Sequence, residues 1–227
     1  NKRQVGGKAV GKPLAKIATR VMRGRSLVDI GFSEQSNPKH GPVTEAVFPF
    51  QRFPNVDVGL GPEMKSTGEV MGIDSSFGAA FAKSQMAAGS TLPDSGAVFI
   101  SVHDFHKDRI SGVARGFADL GFRILATRGT AKRLQAEGID AEVVLKVREG
   151  RPNVVDHIKN RGIQMIINTS IGRKPSEEAY HIRSSAIRYN IPYATTIAAS
   201  RASLEAIRAL RSNGFAVAPL KDLYAGG

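Results

Sequence analysis

The sequence of 227 residues contains no cysteine, which excludes a disulfide scaffold, a zinc site with thiolate ligands and a cysteine nucleophile. It also lacks an apolar run of roughly 18 residues, the length that a membrane-spanning helix needs. No apolar signal segment follows the basic residues at its start. Hydrophobic residues make up 41% of the chain and charged residues 23%, a globular composition that argues against wholesale disorder. We therefore expect a soluble, cytoplasmic protein with no membrane partner.

Acidic residues are scarce, because 20 aspartates and glutamates face 32 lysines and arginines and leave a net charge of +12. Residues 1–25 carry eight basic residues and no acidic one. Such an excess favours an anionic partner: nucleic acid, a phosphorylated metabolite or an acidic protein surface. No stacking aromatic residues interleave the basic ones, and no known nucleic-acid-binding motif is present. We therefore predict no nucleic-acid partner and keep a basic nucleic-acid-binding module only as an alternative, which salt-dependent retention on DNA or RNA tests.

The pattern of the chain changes near residue 92. Before it, the pattern predicts two helices, at 13–23 and 75–88, a short strand at 44–50 and a loop at 60–69. Two helices and a strand or two make a poor core for a segment of about 90 residues. We therefore expect residues 1–91 to be part of something larger.

Residues 92–227 alternate regularly between apolar strands and amphipathic helices. The predicted strands lie at 97–101, 122–127, 142–147, 165–169 and 192–196. The predicted helices begin near Lys107 and then lie at 130–137, 152–160, 176–189 and 199–213. This order predicts an α/β domain with a five-stranded parallel sheet and helices on both of its faces.

Polar side chains stand at the carboxyl ends of all five predicted strands, the edge where ligands bind in an open α/β sheet. Thr127 and Thr130 open a helix whose free N–H groups and dipole favour an anion, and Lys107 begins the preceding helix. The pattern predicts a phosphate pocket with ribose-binding neighbours; the alternative is that these hydroxyls only cap helices. The residues at the strand ends are Ser101, Thr127, Lys146, Asn168, Thr169, Ser170, Thr195 and Thr196.

Other constellations are weaker. His103 and His106 are three residues apart, but they lie in a strand-to-helix turn with no third ligand evident, so no metal site is predicted. Glu63 and Glu69 flank a Ser-Thr-Gly turn, yet their spacing pairs no base with a nucleophile. No catalytic residue is therefore assigned.

Two segments resemble a known family. Residues 60–72, LGPEMKSTGEVMG, followed by residues 77–83, FGAAFAK, are closely similar to the carboxyl end of the carbamoyl phosphate synthetase large chain. The domain after them is similar to the allosteric domain of that enzyme, which has the methylglyoxal-synthase-like fold. The supporting stretches lie at 126–130, 146–152 and 166–170. The resemblance implies a partial, mainly helical tail of the second ATP-grasp synthetase domain at 1–91 and the allosteric domain at 92–227.

The resemblance also implies a reaction. The family makes carbamoyl phosphate from glutamine-derived ammonia, bicarbonate and two ATP for arginine and pyrimidine synthesis. It implies ATP, Mg²⁺ or Mn²⁺ and K⁺ for the full enzyme, with a glutaminase small chain and the remainder of the large chain as partners. The metal-binding ATP-grasp residues lie upstream of this chain, so we expect the fragment alone to hold no cofactor and to be inactive. Whether it forms a homo-oligomer is left open.

The family's effector sites carry over to this sequence residue by residue. The resemblance implies that a nucleoside monophosphate, UMP or IMP, binds at the sheet edge. A second site, for ornithine, lies between the domains in forms that ornithine activates. Arg128 stands where some relatives have histidine, Ser170 replaces a threonine and Glu178 stands where an aspartate contacts the effector, which leaves the choice of effector open. The matching positions are Lys107, Thr127 and Thr130 for the phosphate; Ser101, Arg128, Lys146, Asn168, Thr169, Ser170, Glu178 and Ile182 for the nucleoside; and Glu45, Tyr193 and Thr195 for ornithine.

The fold also allows a different class, methylglyoxal synthase, a lyase that eliminates phosphate from dihydroxyacetone phosphate. His103-Asp104 and the turn at 190–192 resemble that enzyme. It needs an aspartate base in the loop after the fourth strand, where this chain has Asn168, Thr169 and Ser170. The lyase is therefore the weaker alternative, and an activity assay on the triose phosphate tests it.

Overall fold

The computed structural model of the protein describes residues 7, 10–32, 41–47, 68–169, 177–214 and 217–219. Its strands are β1 (Gly41–Ala46), β2 (Glu69–Asp74), β3 (Ala97–Val102), β4 (Arg123–Ala126), β5 (Glu142–Val143), β6 (Met165–Thr169) and β7 (Tyr193–Ala194). Its helices are α1 (Leu14–Met22), α2 (Phe77–Ala87), α3 (Lys107–Asp119), α4 (Arg128–Ala136), α5 (Val154–Lys159), α6 (Glu177–Arg188) and α7 (Ile197–Asn213), and a 3₁₀ turn (Asp104–His106) precedes α3.

The amino-terminal part contains a two-stranded antiparallel sheet with a helix packed on it. β1 pairs with β2, and Glu45 lies opposite Val70. Helix α2 approaches β2 so closely that a Cβ at Gly72 would lie 2.0 Å from the carbonyl oxygen of Ala80. The predicted helices at 13–23 and 75–88 are confirmed. The strand predicted at 44–50 is confirmed only in its first part, because β1 begins at Gly41 and ends at Ala46, and residues 48–50 lie outside the described residues. The predicted loop at 60–69 falls mostly outside the described residues, and its last residue begins β2.

The carboxyl-terminal part is built on a parallel five-stranded sheet in the order β5-β4-β3-β6-β7. All five predicted strands are present, which confirms the predicted fold class. β4 is two residues shorter than predicted, and two others are reduced to two residues each: β5 has only Glu142–Val143 and β7 only Tyr193–Ala194. Both lie at an edge of the sheet, where a strand has a partner on one side only. After β5 the chain makes a single isolated bridge, between Leu145 and Asn153, and then turns.

Helices cover both faces of the sheet because alternate strand residues point to opposite sides. Ile100 of β3 packs in one hydrophobic core with residues of α3, α4 and α7, among them Phe117, Leu134 and Ile207. Its neighbour Phe99 packs in a second core with residues of α5 and α6. Each connecting helix therefore lies on a definite face of the sheet.

The boundary predicted at residue 92 lies within a continuous region of packing. Ala82 and Leu92 belong to the same buried core as Ile100 of β3. Helix α2 also crosses α7 at close range, since a Cβ at Gly78 would lie 2.6 Å from the carbonyl oxygen of Glu205. The division into two domains stays a prediction, but α2 and the sheet share one core. Within the described ranges, no helix has the length and apolar character needed to cross a membrane.

Candidate anion-binding site

The strand order reverses between β3 and β6, which neighbour each other in the sheet. From β3 the chain continues to β4 and β5 on one side, and it then returns to β6 and β7 on the other. Ligands of open α/β sheets bind in the crevice at the carboxyl ends of strands where the order reverses in this way. Ser101 lies opposite Asn168 there, and Val102 lies opposite Thr169. The topology therefore brings three of the sequence-predicted residues to the expected position of a ligand.

Lys107, Thr127 and Thr130 meet at the amino-terminal end of α4, and we call them the phosphate cluster. Thr127 is the N-cap residue of α4, with extended backbone angles, but its side chain makes no capping hydrogen bond to a described residue. Its hydroxyl instead donates to Thr130 Oγ1 at 3.2 Å. Both threonines are buried. The first N–H groups of α4 therefore have no side-chain acceptor from Thr127, and such groups favour an anion.

The ammonium group of Lys107 reaches the same helix end. Its Nζ lies 2.6 Å from Asp104 Oδ1, and its hydrogen bond is the main cause that holds the pKa of Asp104 below the ordinary value. It also lies 3.1 Å from the position that a Cβ would take at Gly129, so the absence of a side chain there leaves room for it. A positive charge is thus held beside the first turn of α4, which suits a phosphate.

The hydroxyl of Thr169 is held by the turn that follows β3. Thr169 Oγ1 accepts a hydrogen bond from the backbone N–H of His103 at 3.4 Å and lies 2.9 Å from Nδ1 of His106. Sequence reasoning considered His106 only as a metal ligand and missed this contact. No sequence signal could have found it, because residues 106 and 169 are joined only through the pairing of β3 with β6.

One hydrogen bond joins a residue predicted for the nucleoside site to a residue predicted for the ornithine site. Asn168 Nδ2 donates to the hydroxyl oxygen of Tyr193 at 2.8 Å. Burial is the main cause that raises the pKa of Tyr193, and the Arg183 guanidinium lies 5.8 Å from the centre of its ring. Glu45 lies elsewhere, on β1, where it accepts a hydrogen bond from Gln85 and burial raises its pKa. The assembly of Glu45 with Tyr193 in one site stays a prediction.

The remaining predicted residues differ in their surroundings. Lys146 and Glu178 form a long ion pair, with 3.6 Å between Nζ and Oε2. The other carboxylate oxygen of Glu178 is buried and has no hydrogen-bond partner among the described residues. Arg128 is exposed in the first turn of α4. Ile182 is only 1% exposed and packs in the second core, so the described structure gives it no open surface toward a base.

Two predicted positions have no role that the described contacts define. Ser170 lies outside the described residues. Thr195 is exposed, while its neighbour Thr196 is the N-cap residue of α7 and accepts a hydrogen bond from the Ala199 N–H at 3.0 Å. The capping alternative is therefore correct for Thr196, whereas the hydroxyl of Thr127 does not cap its helix.

Comparison with known proteins first defines the class. Residues 109–195 match the family model described as MGS-like domain. A crystal structure of methylglyoxal synthase from Elizabethkingia anophelis NUHP1 aligns with 60% of this chain and 93% of its own, at 20% identity and a TM-score of 0.40.

Curated relatives then extend the match beyond that domain. The chain is 48% identical over 218 residues to the arginine-specific carbamoyl phosphate synthase large chain, chloroplastic, of Oryza sativa subsp. japonica, covering 96% of this chain and 19% of the relative. It is 50% identical over 219 residues to the carbamoyl phosphate synthase large chain of Pseudomonas putida, covering 96% of this chain and 20% of the relative. The chain is thus homologous to a segment of carbamoyl phosphate synthase large chains, which confirms the resemblance, and it spans about a fifth of their length.

Proposed function

We propose that this chain is the regulatory part of a carbamoyl phosphate synthase large chain, and that its phosphate cluster binds a nucleoside monophosphate, UMP or IMP. The parent enzyme would be a cytoplasmic ligase that makes carbamoyl phosphate from glutamine-derived ammonia, bicarbonate and two ATP, for arginine and pyrimidine synthesis. A glutaminase small chain and the remainder of the large chain would be its partners. The identity of 48–50% over 96% of this chain supports this assignment.

The convergence of Lys107, Thr127 and Thr130 on the first turn of α4 is the observation that carries the effector proposal. Lys107 brings an ammonium group, Thr130 a buried hydroxyl that Thr127 orients by its hydrogen bond, and α4 the N–H groups of its first turn to one end of the sheet. A phosphate accepts hydrogen bonds from all three kinds of group. The crevice between β3 and β6 lies beside this cluster and contributes Ser101, Asn168 and Thr169, whose polar groups suit a ribose and a base.

The unsatisfied oxygen of Glu178 supports a ligand that donates hydrogen bonds. A buried carboxylate oxygen without a donor costs free energy, and a ribose hydroxyl or a base N–H would remove that cost. Glu178 forms an ion pair with Lys146, and Lys146 is close enough to Asp104, in the turn after β3, to act on it electrostatically. A nucleoside monophosphate combines an anionic group for the phosphate cluster with donors for Glu178, whereas inorganic phosphate offers only the first.

Regulation through this site would work by linkage. An effector changes catalysis elsewhere only if it binds two states of the enzyme with different affinity. The hydrogen bond between Asn168 and Tyr193 gives a physical connection between the nucleotide residues and the residues that match an ornithine site. Helix α2 gives a second connection, because it packs on both α7 and the β1–β2 sheet that carries Glu45.

Catalytic metal and ATP sites are not assigned to these residues. Within the described part of the chain, no group of three or more His, Cys, Asp or Glu side chains could hold a metal ion. The family resemblance, and not this observation, implies that the ATP, Mg²⁺ or Mn²⁺ and K⁺ of the proposed parent enzyme act in other parts of it. We expect this chain alone to form no carbamoyl phosphate.

Calorimetric titration of the chain with UMP and with IMP, at low and then moderate salt, tests the proposal. We expect saturable one-to-one binding of one nucleotide, weakened about tenfold or more by Lys107→Ala and by Thr127→Ala. Lys132→Ala is the matched control, because it removes the same charge from an exposed position of the same helix, α4. Binding of neither nucleotide, or equal losses in all three variants, would contradict the assignment of the phosphate cluster.

A further inference from the structure

His106 links the turn after β3 to the end of β6 by a hydrogen bond, and it belongs to neither of the two predicted effector sites. Its Nδ1 lies 2.9 Å from Thr169 Oγ1, and its ring meets the ring of Phe105 edge-on with 5.6 Å between the centroids. Thr169 is buried, and Phe105 is 71% exposed. His106 also immediately precedes Lys107 of the phosphate cluster. It therefore contacts one predicted effector residue and adjoins another.

The hydroxyl of Thr169 has a limited set of hydrogen bonds to make. A threonine hydroxyl donates one hydrogen bond and accepts two. One acceptor position is used by the backbone N–H of His103 at 3.4 Å. The contact with His106 must use either the second acceptor position or the single donor.

The protonation of His106 decides which of the two is used. When Nδ1 carries no proton, it accepts the hydroxyl proton of Thr169, and Thr169 then has no donor for a ligand. When Nδ1 carries a proton, His106 donates to Thr169 Oγ1, both acceptor positions are filled, and the hydroxyl proton is free for a ligand oxygen. An imidazolium always has the second arrangement, whereas a neutral imidazole has it in only one of its two tautomers.

The charges around His106 are mostly positive. On its own turn, Asp104 is paired with Lys107, and His103 accepts the N–H of Phe105 through its ring nitrogen. Lys146 is close enough to act electrostatically on Asp104. Across the crevice His106 meets the uncharged Thr169, and no carboxylate among the described residues forms an ion pair with its ring. Bound phosphate would add the negative charge that favours the imidazolium.

We propose that His106 is a positioning residue of the effector site: its Nδ1–H form orients the Thr169 hydroxyl as a donor to the nucleotide and makes nucleotide affinity increase as His106 is protonated. This inference rests on the proposed function and adds a residue and a pH dependence to it.

The test compares His106→Asn and His106→Leu with the unchanged chain by calorimetric titration with UMP and IMP. An asparagine amide can occupy the position of Nδ1 and donate to Thr169 at every pH, whereas leucine cannot donate. At about pH 6 we expect His106→Leu to bind the nucleotide about tenfold more weakly than the unchanged chain, and His106→Asn to retain most of the affinity. Thermal unfolding of each variant shows whether it is folded.

The pH readout uses the ratio of affinities between the unchanged chain and His106→Asn. The nucleotide phosphate, whose second pKa is about 6, titrates in the same way with both proteins. Its contribution to the pH dependence of affinity therefore cancels in the ratio. We expect the ratio to rise as the pH falls, because an imidazolium always carries the Nδ1–H that donates to Thr169. The loss caused by His106→Leu should also disappear in a Thr169→Val background, because the two residues act through one hydrogen bond.

Three results would overturn the inference. If the folded His106→Leu variant binds the nucleotide as tightly as the unchanged chain, His106 has no positioning role, although the proposed function stands. If its loss persists in the Thr169→Val background, His106 acts through its charge and not through Thr169. If the unchanged chain binds neither nucleotide, the proposed effector site fails and this inference fails with it.

Discussion

Thr127 donates a hydrogen bond to Thr130 across the first turn of α4, with 3.2 Å between the two hydroxyl oxygens. Thr130 Oγ1 also accepts from the backbone N–H of Val102 at 3.4 Å, at the end of β3. The two threonines were predicted as equal members of a phosphate pocket, but their surroundings differ. Thr130 joins two elements and, with both acceptor positions occupied, keeps its own proton to donate.

Removal of the two hydroxyls should therefore have different effects on stability. Thr130→Val leaves the buried donors of Val102 and Thr127 without their acceptor, and we expect the free energy of unfolding to fall by about 1–3 kcal/mol. Thr127→Val removes only a donor, and we expect a loss of about 1 kcal/mol or less. Urea unfolding of both variants measures the difference. Equal losses would show that the bond between Thr130 and Val102 contributes nothing.

The close crossing of α2 and α7 should not tolerate a side chain at Gly78. An added Cβ would lie 2.6 Å from the Glu205 carbonyl oxygen, so Gly78→Ala must push the helices apart, and we expect a loss of about 1–3 kcal/mol in the free energy of unfolding. Gly112→Ala is the matched control within α3, because an added Cβ there meets no atom within 4 Å. We expect the control to stabilise the protein by about 0.5–1 kcal/mol. A stabilising Gly78→Ala would contradict the described packing.

Asp156 should make stability depend on pH in the acidic range. It accepts hydrogen bonds from the Arg151 guanidinium and from the Asn153 N–H, and the Arg151 contact is the main cause that holds its pKa well below the ordinary value. Because the pKa is lower in the folded state, the stabilisation is complete above the unfolded pKa of about 4 and is lost as the pH falls below it.

Asp156→Asn should therefore lower the free energy of unfolding near pH 7, and the difference from the unchanged chain should shrink below about pH 4. Urea unfolding at several pH values measures this difference. Asp140→Asn removes the same charge at an exposed position, and we expect a change within about 0.5 kcal/mol. A difference for Asp156→Asn that is constant across the pH range would contradict the assigned ion pair.

Arg128 should strengthen phosphate binding through its charge. It lies exposed in the first turn of α4, beside the phosphate cluster. We expect Arg128→Ala to weaken nucleotide binding about two- to fivefold at low salt, and by less at moderate salt, because salt screens exposed charges. The control is Arg188→Ala, which removes an exposed arginine from the last turn of α6, just before the amino end of β7. Unchanged affinity in a titration of Arg128→Ala would refute this role.

Much of the fold could be predicted because it depends on local patterns. The segments around Phe99, Leu125 and Ile166 are apolar runs of strand length, and amphipathic helices separate them, so a parallel sheet follows with little ambiguity. The helix starts were missed by two residues: the helices predicted at 130–137 and 199–213 are Arg128–Ala136 and Ile197–Asn213, because each follows directly on the N-cap residue, Thr127 or Thr196. The lengths of β5 and β7 could not be predicted, because the number of paired residues depends on the neighbouring strand.

The sites show the same division between local and long-range information. The order of residues along the chain is sufficient to bring Thr127, Thr130 and Lys107 to one edge of the sheet, because each lies at a strand end or a helix start. The contacts of His106 with Thr169 and of Asn168 with Tyr193 depend on the tertiary structure. Each joins side chains on separate elements, and a distance of this kind is determined by strand register and packing, which no local pattern in a single sequence specifies.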